Sequence, residues 1–408
     1  MIKNKKIIDI ISSLLQNRRF FVEIDGKQSR WRIQKNGLPQ GSVLAPTLFN
    51  IYTNDIPEFN DIRRFLYADD LCLATQSKNF DVIEKRLTEA LQCLSKYYQK
   101  WSLNPNPGKT KVCCFHLNNH QASRELNIVW DGKLLENEPF PVYLGVTFDR
   151  TLAFKVHVDK LRKKVSSRAN LIGQLANSSW GADPATLRTS TLALCYSTAE
   201  YCAAAWSRSP HAHKVDPMLN RACRTITGTL KATPLSALYR TAGIAPPDIR
   251  RDTISRVERH KQLNDERHPL HSHQEVVRRL RSRKSFMTVS ELTGVTPETH
   301  RRRVWIEREA ANANAALPLP NEGIPTGHGL SRKDWVTLNR ARAKLGKTGD
   351  NLLKWGLTNS SVCTCGEELQ TINHILRECT DSIPCTDEDL RLSNDAALRW
   401  LERWSGKI

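Results

Sequence analysis

The chain has 408 residues, with 61 Lys and Arg against 42 Asp and Glu for a formal charge of +19, and 39% of its residues are hydrophobic. At roughly 150 residues per domain, that length corresponds to two or three domains with room for a buried core. The charge bears on partners rather than fold and favours polyanions, nucleic acid before anionic membrane. No stretch approaches the roughly 18 apolar residues of a membrane span, and the most apolar tract, Leu192 to Trp206, is interrupted by Glu200. The basic start resembles a signal peptide, but Asp9 breaks its apolar region and no small-residue cleavage site follows, so secretion is not expected. Of 11 cysteines, Cys363, Cys365 and Cys379 cluster around a histidine and the rest are scattered. That distribution suits a reducing compartment and one local metal site rather than a disulfide framework, and an intracellular location in nucleus and cytoplasm is expected.

In chain order, Ile7, Ile8, Ile11, Leu14 and Leu15 recur at helical spacing, which predicts a helix from Ile2 to about Leu15. Arg19 to Lys27 and Ser29 to Ile33 predict two strands joined by a turn at Asp25-Gly26. A loop with two glycines, Gly37 and Gly41, then runs into a helix with Ser42 as N-cap, Pro46 in the first turn and an end forced by Pro57. Asp81 to Leu103 predicts a long amphipathic helix with Val82, Leu87, Leu91, Leu94 and Tyr98 on one stripe. Short strands are expected at Lys109 to His116 and Pro141 to Phe148. From Val156 to about Gly228 the pattern turns helical and basic, and Pro246-Pro247 predicts a boundary followed by loose helices and connectors.

Two adjacent carboxylates, Asp69 and Asp70, stand between apolar flanks in Phe65-Leu66-Tyr67-Ala68-Asp69-Asp70-Leu71-Cys72-Leu73. Apolar flanks would bury both strands of a tight hairpin and leave the aspartates at its tip. Like charges so close repel, and Mg²⁺, which prefers hard oxygen ligands, removes that cost. An ordinary turn, where Asp is common, is the other reading of the dipeptide alone.

The surroundings change the balance. Gly37-Leu-Pro-Gln-Gly-Ser42, Tyr67-Ala-Asp-Asp70, Trp101-Ser-Leu-Asn104 with Pro107-Gly-Lys-Thr-Lys111, and Tyr143-Leu-Gly-Val146 follow in an order that resembles the reverse transcriptases of non-LTR (LINE-like, jockey-type) retrotransposons. The resemblance implies an RNA-directed DNA polymerase using RNA template, DNA primer and dNTP. Asp69 and Asp70 would hold Mg²⁺ (or Mn²⁺) at the catalytic box. Gly37, Gln40, Gly41, Ser42 and Tyr67 would contact template and nucleotide. Lys109 would assist the leaving pyrophosphate, and Tyr143, Leu144 and Gly145 would form a primer grip. Gly37 and Gly41 leave the backbone free to approach a base pair, and Gln40 donates and accepts at once. Lys109 can also be a solvated loop lysine, and Tyr143 fits a core position equally well.

The family's third carboxylate comes from a strand upstream of the Gly37 block. Only Asp9 and Asp25 are aspartates before Gly37, one in a helical pattern and one in a turn, and neither fits. The chain therefore resembles the C-terminal part of such a polymerase, and weak or no polymerisation by it alone is expected.

Lys160, Arg162, Lys163, Lys164 and Arg168, with His157 nearby, suit a thumb helix contacting phosphates or a solvated face, and Trp180, Tyr196, Tyr201 and Trp206 suit its core. The run Arg278, Arg279, Arg281, Arg283 and Lys284 fits an RNA grip, a nuclear localisation signal or a solvated tract. Cys363, Cys365, His374 and Cys379 read C-x-C-x8-H-x4-C, a closed tetrahedral set for structural Zn²⁺, with His374 on a short helix, Thr371 to Arg377, and Cys379 just beyond it. Many non-LTR proteins resemble this at their C-terminus.

The expected fold is α+β. It comprises an incomplete right-hand palm with fingers mostly absent over residues 1–150 and a helical thumb over 151–245. A basic linker over 246–330 and a zinc-knuckle-like module over 331–408 follow. The alternative to a polymerase is a non-catalytic remnant that still grips nucleic acid.

Overall fold

A computed structural model describes residues 4–116, 121, 124–274, 285–312 and 314–408. The basic run at Arg278 to Lys284 lies outside the described residues. The chain divides into two compact units, Met1–Cys114 with Ser123–Glu138, and Phe115–Ala122 with Pro139–Ile408. No helix among the described residues is long and apolar enough to cross a membrane.

The first unit is mixed helix and sheet, and all strands among the described residues pair in twos. The helix Lys5–Leu15 is followed by the predicted hairpin, split into two ladders: Arg19–Phe20 pairs with Arg32–Ile33, and Glu23–Ile24 pairs with Lys27–Gln28. Asp25 and Gly26 turn it with φ of 50° and 74°, the two positive values of a type I′ turn. A six-residue ladder, Ile62–Tyr67 against Asp70–Thr75, comes next. It lies on the helix Phe80–Lys100, where Leu71 and Leu73 join Leu91, Leu94, Val112, Ile128 and Trp130 in one apolar cluster. The helix turns a slightly different face inward than its expected stripe: Val82 is exposed and Ile83 packs instead, with Tyr97 buried.

The second unit is mostly helical. Its main cluster runs from Val146 and the helix Lys155–Gly173 through Tyr196, Trp206 and the helix Asp216–Thr227 to Ile249 and Trp305. Tyr196 and Trp206 are core residues as expected, but Trp180 and Tyr201 are exposed. The linker expected after Pro246-Pro247 is instead packed structure. Pro247 opens the helix Pro247–Asn264, where a first-turn proline loses no hydrogen bond, and Trp305 on the helix Pro297–Glu309 is fully buried in the same core. Among the described residues there, Arg250 pairs with Glu200 and Glu322, Arg301 with Glu322, and Arg308 with Asp248.

No break occurs near residue 331 either, because the helix Arg332–Arg342 sits in the middle of the unit. The helix Asp216–Thr227 ends at Gly228, in the left-handed region at φ 69°, leaving its last carbonyls without helical partners. Arg332 donates to Thr225 O (2.6 Å) and Ile226 O (2.7 Å), Trp335 Nε1 to Ile226 O (2.9 Å), Asn339 to Thr227 O (3.2 Å), and Arg340 to Gly228 O (3.1 Å). From the same helix, Arg342 donates to Leu390 O (2.9 Å) and Ser393 Oγ (2.8 Å), closing the end of the helix Asp387–Leu392. A Cβ on Gly228 would stand 2.2 Å from Val336 Cγ2, so the close approach also requires glycine.

Arg332→Met strips three carbonyls, those of Asn177, Thr225 and Ile226, of a charged donor in a buried setting. It is expected to lower the stability of the second unit by about 2–4 kcal/mol. Urea unfolding followed by tryptophan fluorescence tests this, and a change below about 0.5 kcal/mol contradicts it.

Candidate functional site

Tyr67 pairs with Asp70 across the tip of the 62–75 hairpin, so Ala68 and Asp69 form a two-residue turn, with Ala68 at φ 51°. Both Asp69 and Asp70 are exposed, and so is Tyr67 at 66%. The hairpin buries one face rather than two: Leu71 and Leu73 pack on the helix, while Phe65 and Leu66 remain exposed. Arg64 holds the base of the hairpin by donating to Ile56 O and Pro57 O, and Arg86 pairs with Asp61 at 2.6 Å. Among the described residues no third carboxylate joins Asp69 and Asp70 within ligand-sharing distance. Two exposed carboxylates fit Mg²⁺, which is commonly held by one or two carboxylates with substrate phosphates and water completing its shell.

In the loop before the 45–52 helix, Gly37 and Gly41 adopt φ of 77° and 86° with open space where a Cβ would stand, so glycine serves backbone conformation there. Arg18 Nη2 donates to Gly37 O at 2.6 Å and Ser42 N to Pro39 O at 3.2 Å, while Gln40 is exposed. Ser42 is not the helix N-cap. Its Oγ accepts from Leu44 N at 3.3 Å in the preceding turn, and the helix Ala45–Tyr52 starts after Leu44 and ends before Pro57 is reached. Tyr52 donates its hydroxyl to Trp101 O, and Tyr97 donates to Asp55 at 3.0 Å, which braces this helix on the 80–100 helix. Lys109 is exposed on a turn in which its own N–H donates to Asn106 O at 3.0 Å.

The Tyr143 segment belongs to the second unit. Val142–Tyr143 pairs with Val146–Thr147 around Leu144 and Gly145, at φ 46° and 78°. Leucine is an unusual occupant of the left-handed region. Tyr201 fastens this turn: its hydroxyl donates to Leu144 O at 2.8 Å, and its ring lies 3.3 Å from where a Gly145 Cβ would be. Next to it, buried Asp149 accepts from Ala153 N (2.8 Å) and Lys155 N (3.0 Å), organising the start of the helix Lys155–Gly173. His157 on that helix accepts Thr147 N–H at Nδ1 (3.3 Å), which leaves the neutral ring's proton on Nε2. Burial, then Lys164 and Lys160, hold its pKa down at about 4.

In the Cys/His cluster, all four ligand atoms of Cys363, Cys365, His374 and Cys379 lie within 4.8 Å of one another. Cys363 Sγ and Cys379 Sγ are 3.8 Å apart, and Cys365 Sγ is 3.2 Å from His374 Nε2. Tetrahedral Zn²⁺ with bonds of about 2.3 Å to sulfur and 2.0 Å to nitrogen places its ligands roughly 3.5–3.8 Å apart, so the set fits that ion. Thr371 caps the helix Ile372–Arg377 and Cys379 follows it, donating its N–H to His374 O at 2.9 Å. Gly366, at φ 96°, donates to Cys363 O at 3.0 Å rather than to a sulfur. Burial raises the Cys363 thiol, but hydrogen bonds from the Cys365 backbone and from Gln370, Cys365 and His374 bring it down to about 6. Gln370 Nε2 sits 3.5 Å from Cys363 Sγ, a supporting donor that spacing alone did not reveal.

Residues 2–148 match the family model described as reverse transcriptase (RNA-dependent DNA polymerase). Over these residues the chain is similar to the reverse transcriptases of non-LTR retrotransposons. A probable RNA-directed DNA polymerase from transposon BS of Drosophila melanogaster is 32% identical over 176 residues, covering 41% of this chain and 19% of that protein. The RNA-directed DNA polymerase from mobile element jockey of the same organism is 30% identical over 233 residues, covering 54% and 25%. A Pol polyprotein from type-1 retrotransposable element R1 of Bradysia coprophila is 22% identical over 386 residues, or 89% of this chain and 36% of that protein, so its likeness extends beyond the family match. The chain thus spans between 18% and 25% of the jockey and transposon BS relatives. The reverse transcriptase match implies a palm-type fold over these residues.

The sequence noted His157 only as a neighbour of the basic helix, and Tyr201 only as core. Their roles depend on Thr147 and Leu144, partners 10 and 57 residues away.

The folded protein accepts a proton on His157 only near pH 4, whereas an unfolded histidine does so near 6.5. Stability contributed by the neutral ring is therefore complete above about pH 6.5 and falls as pH drops towards about 4. Between pH 7 and 4.5 the wild type is expected to lose about 2–3 kcal/mol that His157→Gln does not lose, read from urea midpoints at the two pH values. Equal acid sensitivity of the two proteins contradicts this.

Proposed function

We propose that the chain carries the carboxylate box, thumb and C-terminal Cys/His region of an RNA-directed DNA polymerase that copies retrotransposon RNA from a nicked DNA primer. The observation that carries this reading is the exposed Asp69-Asp70 pair at a hairpin tip, within residues of reverse transcriptase sequence. Asp69 and Asp70 would hold Mg²⁺ (or Mn²⁺), which would offset charge on the triphosphate and favour deprotonation of the primer 3′-hydroxyl. Exposure leaves both carboxylates free of internal partners that would have to be broken first. Gly37, Gln40, Gly41 and Ser42 form a bent, solvent-facing loop suited to template and nucleotide, with Tyr67 beside the carboxylates. Lys109, on its exposed turn, can reach a leaving pyrophosphate. Tyr143, Leu144 and Gly145, tied down by Tyr201, are the primer grip. The partners are RNA template, DNA primer and dNTP, and the setting is nucleus and cytoplasm.

Because no third carboxylate stands by Asp69 and Asp70 among the described residues, one of two metal positions lacks an anchor, and weak or no synthesis by this chain alone is expected. Primer extension on an RNA template with Mg²⁺ tests this. Robust synthesis that Asp69→Asn abolishes would establish a competent polymerase and overturn the expectation of weakness. Absence of synthesis with retained binding of primer–template supports the second reading, a nucleic-acid-binding remnant.

Cys363, Cys365, His374 and Cys379 are assigned to one structural Zn²⁺, since all four positions of a tetrahedron are taken by protein. One equivalent of zinc per chain is expected by elemental analysis. Cys363→Ser should lose it and lower thermal stability, and purified wild type without stoichiometric metal would remove the site.

A further inference from the structure

The helix Leu235–Ala242, the end of the helix Pro297–Glu309, the segment that follows it and the helix Asp387–Leu392 line a pocket of 550 Å³ within the second unit. That volume lies within the roughly 300–1,000 Å³ of small-molecule sites. Neither the carboxylate box nor the Cys/His cluster uses any of its residues. Ile306, Leu317, Leu319 and Pro320 supply apolar wall, and Ile306 and Leu319 are 45% and 64% exposed. The charged residues of the lining are two of each sign, and Glu388 and Arg391 cancel each other at 2.8 Å.

The other two charges do not cancel. Arg240 is only 6% exposed. Its Nε donates to Pro318 O at 2.6 Å and its Nη2 to Leu317 O at 3.0 Å, which shapes the apolar wall and leaves Nη1 without a partner among the described residues. Burial lowers the Arg240 pKa and the field of Glu309 works against that fall, yet no ion pair joins the two among the described residues. Glu309 accepts from Asn312 Nδ2 at 2.9 Å through one oxygen, which leaves the other open. A buried guanidinium N–H and a carboxylate oxygen therefore line one cavity without meeting.

A phosphate in that place would set its charge against Glu309 and Glu388. A nucleobase is neutral, has apolar faces, and carries hydrogen-bond donors and acceptors side by side along one edge. Guanine is the best match, because N1–H and N2–H can donate together to a carboxylate while O6 accepts from a guanidinium. Bases are read in this way when they stand out of the stack, held between apolar side chains.

We propose that this pocket takes one unstacked guanine of single-stranded RNA, with Glu309 accepting from N1–H and N2–H, Arg240 Nη1 donating to O6, and Ile306 and Leu319 covering the ring. The inference rests on the polymerase reading only for the source of the base. It adds a place where RNA is read by a base edge rather than held by its phosphates.

The test is fluorescence anisotropy of the full chain with short labelled oligouridine strands whose central nucleotide is guanine, adenine or abasic, across a salt series. The wild type is expected to bind the guanine strand about five- to tenfold more tightly than the other two. Leu319→Ser and Glu309→Gln should each remove that preference. Their affinity for the abasic strand should stay within about twofold and their salt slope should not change, since no phosphate contact is touched. Leu357→Ser alters a leucine of similar exposure, 71%, outside the pocket and should keep the preference. Equal binding of the three strands by the wild type, or a preference that survives in both pocket variants, overturns the pocket; retained binding of primer–template then leaves the polymerase reading standing. A wild-type chain that binds neither these strands nor primer–template overturns both together. Calorimetry with guanosine monophosphate is the remaining arm: saturable binding that Glu309→Gln abolishes, alongside equal affinity for the three strands, would reassign the pocket to a free nucleotide and overturn the strand assignment.

Discussion

The second unit is organised around charged donors aimed at the carbonyl ends of helices. A helix leaves its last carbonyls unpaired, and burying such an end without partners costs about 1–3 kcal/mol per group. The helix Arg332–Arg342 removes that cost twice, at residues 225–228 through Arg332, Trp335, Asn339 and Arg340, and at residues 390–393 through Arg342. Positive charge also complements the negative end of each helix dipole. The consequence is that the Cys/His region is continuous with the helical core around Trp206 and Trp335 rather than attached to it by a linker.

Charge has a different meaning at each place it is used. The formal +19 suggests a broad polyanion-binding surface. In the fold, Arg332, Arg340 and Arg342 are consumed by carbonyls, and Arg250, Arg301 and Arg308 by Glu200, Glu322, Glu298 and Asp248. On the Lys155–Gly173 helix, Lys160, Lys164 and Arg168 line one pocket with no carboxylate among its lining residues. Composition counts cations but cannot tell a buried donor from a solvated one.

The two turns that matter for the proposed chemistry share a device. Ala68 and Leu144 both lie at positive φ, a conformation that residues with a Cβ adopt at some cost. Each is secured by its surroundings: the first by a six-residue ladder and Arg64, the second by Tyr201. Tight turns of this kind fix where the adjoining Asp69, Asp70 and Tyr143 stand, which loops of ordinary mobility would not.

Much was legible from sequence because it depended on local pattern. The hairpin at Asp25-Gly26, the ladder around Tyr67 and Asp70, the long helix ending near Trp101 and the helix carrying His374 all follow from periodicity, turn chemistry and capping within a few residues. So did the C-x-C-x8-H-x4-C grouping. The features that escaped were long-range. The linker expected after Pro246-Pro247 is a packed helix because Ile249 and Trp305 find a core whose other members are distant in the chain. Trp180 and Tyr201 lie outside despite their apolar rings, and His157 is held neutral by burial and then by Lys164 and Lys160. Local backbone preference is encoded residue by residue, whereas partner choice for a carbonyl, a ring nitrogen or a guanidinium exists only once segments tens to a hundred residues apart have been brought together.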